Sequence, residues 1–433
     1  MAITKNNQYK LLIALAFTLS QISLVCSVEP ESILAPSIGP VVLLPRATLS
    51  ASYNDNVFLY SDSNKIDDYI TTLSSGISLQ YGENIIDSNY IVLDYSPSFL
   101  WYNENNELNT DNHTLGFAIN YQKEGKFTFS GSDQIMLDSA LLSGRERTYY
   151  STLRDSGDQS KTLLVERLSL ADDYRFEYTI SPKTSAYVSV SANTIDFEEE
   201  PHYYYKTVFG ELVPFSLYDI SNWNNTVGFG WQAFPKIKFY GSFFYGSTSV
   251  ERNLDRMSFV PDSEFYGGHI SANGNFSDKL SGRVQLGYQT RDFDRLSNTI
   301  GSDSHSLPIF QTELGYKYTE KGSVNFSYNR GGLVSVENPD IATKSDFLSL
   351  SLTQKLGTTG KLSASINSTV ELTSFEIQDE TEYDYMRFGS ALNYSFNQWM
   401  RASFDYSHEL FNSNKGNVDY NVNKFMFVFS VGY

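Results

Sequence analysis

Residues 424 to 433 read KFMFVFSVGY. Phe425, Phe427, Phe429, Val431 and Tyr433 take every second place in it. Alternate side chains of an extended strand share one face, so these five stand together as a bulky apolar row. The row ends a chain of formal net charge −18. Terminal residues of a soluble domain fray into water, where such a row has nothing to cover it. The face demands an apolar surrounding.

The same alternation recurs through most of the chain. In residues 361–373, KLSASINSTVELT, Leu362, Ala364, Ile366, Val370 and Leu372 oppose Ser363, Ser365, Asn367, Thr369 and Glu371. In residues 279–291, KLSGRVQLGYQTR, Val284, Leu286 and Tyr288 oppose Arg283, Gln285, Gln289 and Arg291. Residues 183–193 and 346–355 repeat the pattern with Val188 and Val190, and with Leu348, Leu350 and Leu352. Helical spacing of apolar residues is hard to find, and after the first residues no window nears the ~18 apolar residues of a membrane helix.

A soluble sandwich also has one wet and one apolar face per strand. Three features favour a membrane-spanning barrel. About eighteen long segments follow one another without a second class of element. Aromatics such as Trp101, Tyr121, Phe129, Phe176, Tyr178, Trp231, Phe239, Tyr288, Tyr316 and Tyr406 edge the apolar faces, as the girdles at two lipid–water boundaries require. The polar faces carry Ser, Thr, Asn and Gln, suited to a wet interior. Short links with turn residues (YQKEGKF, ISPKTS, AFPKIK, FSDKLS, YTEKGS, LGTTGK, FNQWM) alternate with long ones at 54–68, 102–109, 138–160, 198–222, 250–263, 293–306, 335–342, 377–382 and 412–420. The expectation is an all-β transmembrane antiparallel barrel of 18 strands, with 16 as the alternative, short turns in the periplasm and long loops outside. Its last strand then zips against its first, because lipid tolerates no unpaired backbone. The apolar row at 425–433 then faces hydrocarbon, and it looks like the C-terminal signal read by the outer-membrane assembly machinery.

At the other end, Lys5 and Lys10 precede the apolar run LLIALAFTLSQISLV and a small residue, Ser27. This layout predicts a secretory signal over 1–27. The single cysteine, Cys26, falls within it, so the exported chain carries no disulfide. Residues 28–46 hold four prolines and no alternation, which predicts an extended lead-in, with the barrel over 47–433. The acidic balance argues against nucleic acid as a partner. The partners expected are the lipid bilayer, lipopolysaccharide and the assembly machinery of a Gram-negative outer membrane.

Residues 51–82, ASYNDNVFLYSDSNKIDDYITTLSSGISLQYG, are the most individual stretch. Through Asn54, Asp55, Asn56, Val57, Phe58, Lys65, Asp68, Ile70, Thr71, Thr72 and Gly76 it resembles the first hairpin of the putative beta-barrel porin 2 family. Ser75 stands where that family often has Pro. The resemblance implies a barrel porin of the outer membrane, and some relatives sit among exopolysaccharide-export genes. Passage of small hydrophilic solutes is therefore expected first, an exopolysaccharide-export conduit second, and a plugged surface-binding barrel third.

No enzyme is expected. His269 and Ser271 have the His-x-Ser spacing that places imidazole and hydroxyl on one face, but Asn273 and Asn275 continue that face, which turns it to the lumen and away from acyl chains. His113, His202, His269, His305 and His408 are scattered, with no metal-ligand spacing, and no cofactor motif occurs. Acidic runs at 196–201 and 376–384 fall in long links. Candidate pore-lining charges are Arg167, Arg175, Glu177, Arg283, Arg291, Glu313, Lys317, Arg387, Arg401, Asp405 and Glu409, all on polar faces. They either set ion preference or pair across the lumen and hold the barrel's shape. The long links 138–160 and 198–222 are the expected constrictions.

Overall fold

The computed structural model describes residues 35–82, 89–123, 125–141, 164–197, 204–206, 212–214, 218–252, 262–294, 304–334, 342–375, 382–414 and 419–432. Eighteen strands carry the period-two pattern: β1 (Val41–Asn54), β2 (Asp68–Tyr81), β3 (Tyr90–Tyr102), β4 (Thr110–Lys123), β5 (Phe127–Leu141) and β6 (Leu164–Ser181) come first. β7 (Thr184–Phe197), β8 (Tyr218–Phe234), β9 (Ile237–Arg252), β10 (Ser263–Asn275), β11 (Leu280–Phe293) and β12 (Ser304–Thr319) follow. β13 (Gly322–Val334), β14 (Ala342–Leu356), β15 (Leu362–Phe375), β16 (Glu382–Ser395), β17 (Met400–Ser413) and β18 (Tyr420–Gly432) complete the set. Each pairs antiparallel with its neighbours in sequence, and β18 pairs with β1 from Arg46 opposite Gly432 to Asn54 opposite Lys424. The barrel is closed and has no free edge strand along its ladder, as a spanning sheet in lipid requires. A strand as short as β3, with 13 residues, rises ~43 Å along itself and crosses ~30 Å when tilted by ~45°.

Residues directly opposite in an antiparallel pair lie on the same face, so the registers carry one inside and one outside around the whole sheet. Phe425 and Phe427 are 43% and 52% exposed, and Phe429 and Val431 share their parity. The opposite parity of β18, with Lys424, Met426 and Ser430, meets Asn54, Ser52 and Thr48 of β1. Thr48 and Ser430 hydrogen-bond at 3.0 Å across the closing junction. The apolar row thus looks out at lipid and the polar parity looks in. Tyr433 lies outside the described residues.

Several boundaries differ from the sequence reading, with β5, β8 and β9 reaching into the expected long links. β1 begins at Val41, not Ala47, and takes in part of the lead-in; Pro45 pairs with Ile77 of β2 but lies beyond the last β18 partner, so its missing N–H costs no bond at the closing junction. The link between Tyr81 and Tyr90 is at the short-turn end, although its residues carry no tight-hairpin pattern. At that end Lys236 donates to Asp278 across neighbouring turns at 2.7 Å, and this ammonium holds the Asp278 carboxyl below its usual range.

Candidate functional site

The inner wall is built from the polar parity of every strand. All eleven charged residues singled out in the sequence occupy inward positions by register. Arg175 and Glu177 face Ser189 and Tyr187, Arg283 faces Glu313, Arg387 faces Glu409, and Arg401 faces Ser430. Most are engaged with a neighbour. Glu177 accepts from Arg175 at 2.8 Å, Lys238 at 2.6 Å and Ser185 at 2.7 Å. The Arg175 guanidinium lies 3.6 Å from the centre of the Tyr187 ring. Arg167 forms a two-point bridge to Asp138 at 2.9 and 3.0 Å. Arg387 stands 3.5 Å from Glu409.

Arg291 differs in having hydroxyl partners. Only 8% exposed, it donates to Thr248 at 2.8 Å and Ser263 at 2.7 Å and lies over the Phe265 ring. Asp405 takes the Ser403 hydroxyl, Glu313 takes the Gln311 amide, and Arg283 donates to Gln285. Lys317 and Arg401 are exposed on the wall.

Sequence reasoning missed the Arg46–Asp94 pair. The Arg46 guanidinium clamps the Asp94 carboxylate at 2.7 and 2.8 Å, crossing the β2 backbone at Gly76, where a Cβ would come within 2.7 Å of it. Arg46 was hidden in the presumed lead-in. Asp94 shares its parity with Ser96 and Ser98 and could have been found from alternation alone.

His269 and Ser271 also point inward, but no hydrogen bond joins them. The His269 ring packs on Phe244 with its Nδ1 buried and unpaired, and a Ser–His relay is absent among the described residues.

Among the described residues, the first long link, between Asn54 and Asp68, packs against the interior. Val57 and Phe58 bury themselves with Ile70 and Leu108, and Tyr60 and Tyr102 cover them. Ile70 and Tyr102 are inward residues of β2 and β3 that face each other. Farther along the link, Leu59 packs on a second inward cluster of Tyr383, Phe411, Tyr420 and Val422 from β16 to β18. The segment thus lies on the inner wall at the long-link end and reaches both sides of the junction between β18 and β1. Leu59 has φ 55°, a left-handed conformation that costs ~1–2 kcal/mol in a residue with a Cβ and is offset by that packing.

Polar anchors fix the link. Asn56 is 0% exposed: its amide donates to the carbonyls of Tyr60 at 2.6 Å and Asn421 at 3.1 Å, and its oxygen accepts the Tyr60 N–H at 2.8 Å. Asp68, 2% exposed, accepts the backbone N–H groups of Tyr69, Asn103, Glu104 and Asn105 and so holds the second long link as well. Lys65 bonds to Asn421 and stands 3.5 Å from Asp55. The expected constrictions at 138–160 and 198–222 fall largely outside the described residues. So do most of the acidic runs.

The outward face is mainly apolar, and among the described residues charged pairs interrupt it. Arg330 of β13 stands opposite Asp346 of β14 at 3.6 Å. Asp133 of β5 stands opposite Asp172 of β6, both on the outward parity between Phe129, Phe176, Ile135 and Leu170, and the Tyr174 hydroxyl donates to Asp133 at 2.6 Å.

The putative beta-barrel porin 2 family matches residues 210–431. The chain belongs to that family. The matched half, from β8 through β18, leaves out the first hairpin that carries the resemblance seen in the sequence. No curated protein matches the chain. Among solved structures, the outer membrane protein OpdK of Pseudomonas aeruginosa shares 8% identity at a TM-score of 0.44, covering 92% of this chain and 100% of its own. OccAB3 of Acinetobacter baumannii shares 10% at 0.42, over 90% and 99%. The copper transporter OprC shares 10% at 0.47, over 90% and 81%. These likenesses concern the barrel alone.

Proposed function

We propose that this porin-family barrel is a passive channel for small hydrophilic solutes in the outer membrane of a Gram-negative bacterium. The observation that supports it is the inner wall, where Ser, Thr, Asn, Gln and neighbour-paired charges replace the apolar core of a filled barrel. Such a wall keeps water and gives a passing solute hydrogen bonds without a deep binding well. The first long link, packed against the inside at the outer end, narrows the mouth and supplies the size filter. Several inward charges stand beside opposite ones (Arg46 and Asp94, Arg167 and Asp138, Arg175 and Glu177, Arg387 and Glu409), which weakens any preference by sign. No reaction step is needed, since selection is by width and wall polarity.

Planar-bilayer recording on the purified full chain tests this reading. Stepwise ohmic conductance with a reversal potential within a few tens of millivolts of zero in a salt gradient is expected. A barrel inserted in its native form, with no current above the lipid baseline, overturns it.

A further inference from the structure

β1 and β18 form the junction that shuts the barrel, and their ladder stops short of the outer end of β18. Beyond Asn54 opposite Lys424, β1 turns inward, while β18 continues outward through Asn423 to Tyr420. In a regular antiparallel ladder Asp55 would exchange two bonds with Asn423, and Val57 would do so with Asn421. Asp55 keeps the first, its N–H reaching the Asn423 carbonyl at 3.1 Å. The return bond is made by a side chain, because the Asn423 N–H donates to the Asp55 carboxylate at 2.6 Å. At the next rung the Val57 N–H has gone to Ile66 at 2.8 Å, and the Asn56 side-chain amide takes the Asn421 carbonyl in its place.

We propose that Asp55 and Asn56 are a side-chain clasp that extends the closing junction where β1 leaves it, so that three of the four bonds these two rungs would hold survive the inward turn of the first long link. Three further contacts reinforce it. The Asn423 amide donates to the second Asp55 oxygen at 2.8 Å, Lys65 bridges Asp55 and Asn421, and Asn421 donates to Asp62 at 2.5 Å. The clasp explains why two consecutive short polar residues stand at this turn. A carboxylate replaces a carbonyl and a side-chain amide replaces an N–H. An unmade bond here would leave an open strand end at the membrane boundary, where buried or lipid-covered backbone groups are costly to leave unpaired. The inference concerns assembly and stands whether or not the barrel conducts.

Amide exchange on the full chain in detergent micelles tests it. In the unaltered protein the Asn423 amide exchanges at least ~100-fold more slowly than in an unfolded peptide; exchange at the unfolded rate overturns the proposal without any variant. Asp55→Ala raises Asn423 exchange at least ~10-fold and leaves Phe427 unchanged, while Asp55→Asn, which keeps an acceptor oxygen, stays within ~3-fold of the parent. Equal exchange in all three chains refutes the clasp. Where Asp55→Ala combined with Asn56→Ala lowers the folded yield, a disulfide between Ser52→Cys and Met426→Cys, opposite each other across the same junction, restores native gel mobility. Failure of a formed disulfide to restore it places the defect elsewhere and likewise refutes the clasp.

Discussion

Removing one buried carboxylate should release two loops at once. Asp68→Ala deprives Glu104 N–H, Asn105 N–H and the Asn105 side-chain amide of their acceptor, at 3.1, 2.9 and 3.0 Å. A hydrogen bond to a charged group contributes ~1.5 kcal/mol or more, so the three together stabilise the second long link by ~4–5 kcal/mol. At ~1.4 kcal/mol per factor of ten, exchange of the Glu104 and Asn105 amides should speed up about a thousandfold, read by mass spectrometry in micelles. Asn103 should change least, because its N–H also donates to the Tyr69 carbonyl at 3.0 Å. Leu108 follows in the same link and packs on Val57 and Phe58, so protection of the first link should fall too. Asp68→Asn, which retains one oxygen, should lie between. A change below ~10-fold at Glu104 and Asn105, or a uniform loss across all strands, would refute the reasoning.

Three further outcomes follow from facing and packing. On β9, a Cβ added at Gly246 would lie 2.2 Å from the Trp223 carbonyl, whereas none is within 4 Å at Gly241; Gly246→Ala should lower the urea midpoint of unfolding by the equivalent of ~2–3 kcal/mol and Gly241→Ala should not. Phe427→Lys puts a cation into hydrocarbon at a cost of ~2–4 kcal/mol, while Val428→Lys, one residue on, enters the wet interior and should be tolerated, as folded fraction on unboiled gels will report. Asp133→Leu with Asp172→Leu removes facing like charges from the lipid side and should raise the unfolding midpoint; a fall would mean that another polar molecule covers the pair.

Strands were legible because alternation is a local property: Leu348, Leu350 and Leu352 announce their face without reference to any neighbour. The parity of the charged residues came with it, which is why Arg175 and Glu177, or Arg387 and Glu409, could be assigned to one side of the sheet. Their partners could not, since Lys238 reaches Glu177 across two intervening strands and only the register brings them together. The first long link was the main loss. Asn54, Asp55, Asn56 and Lys65 are ordinary turn residues by composition, and a turn in water and a segment folded into the interior read alike. What separates them is Asn421 and Asn423, more than three hundred positions away. Val57, Phe58 and Leu59 were the available sign, an apolar triplet too short for a strand and too greasy for an exposed loop.

The fastening of the first long link to β18 joins two events that other designs could keep separate. The contacts that seat the link on the inner wall also carry the junction past the end of its ladder. On the proposed channel reading, closing the wall and restricting the aperture would then be one step of assembly rather than two.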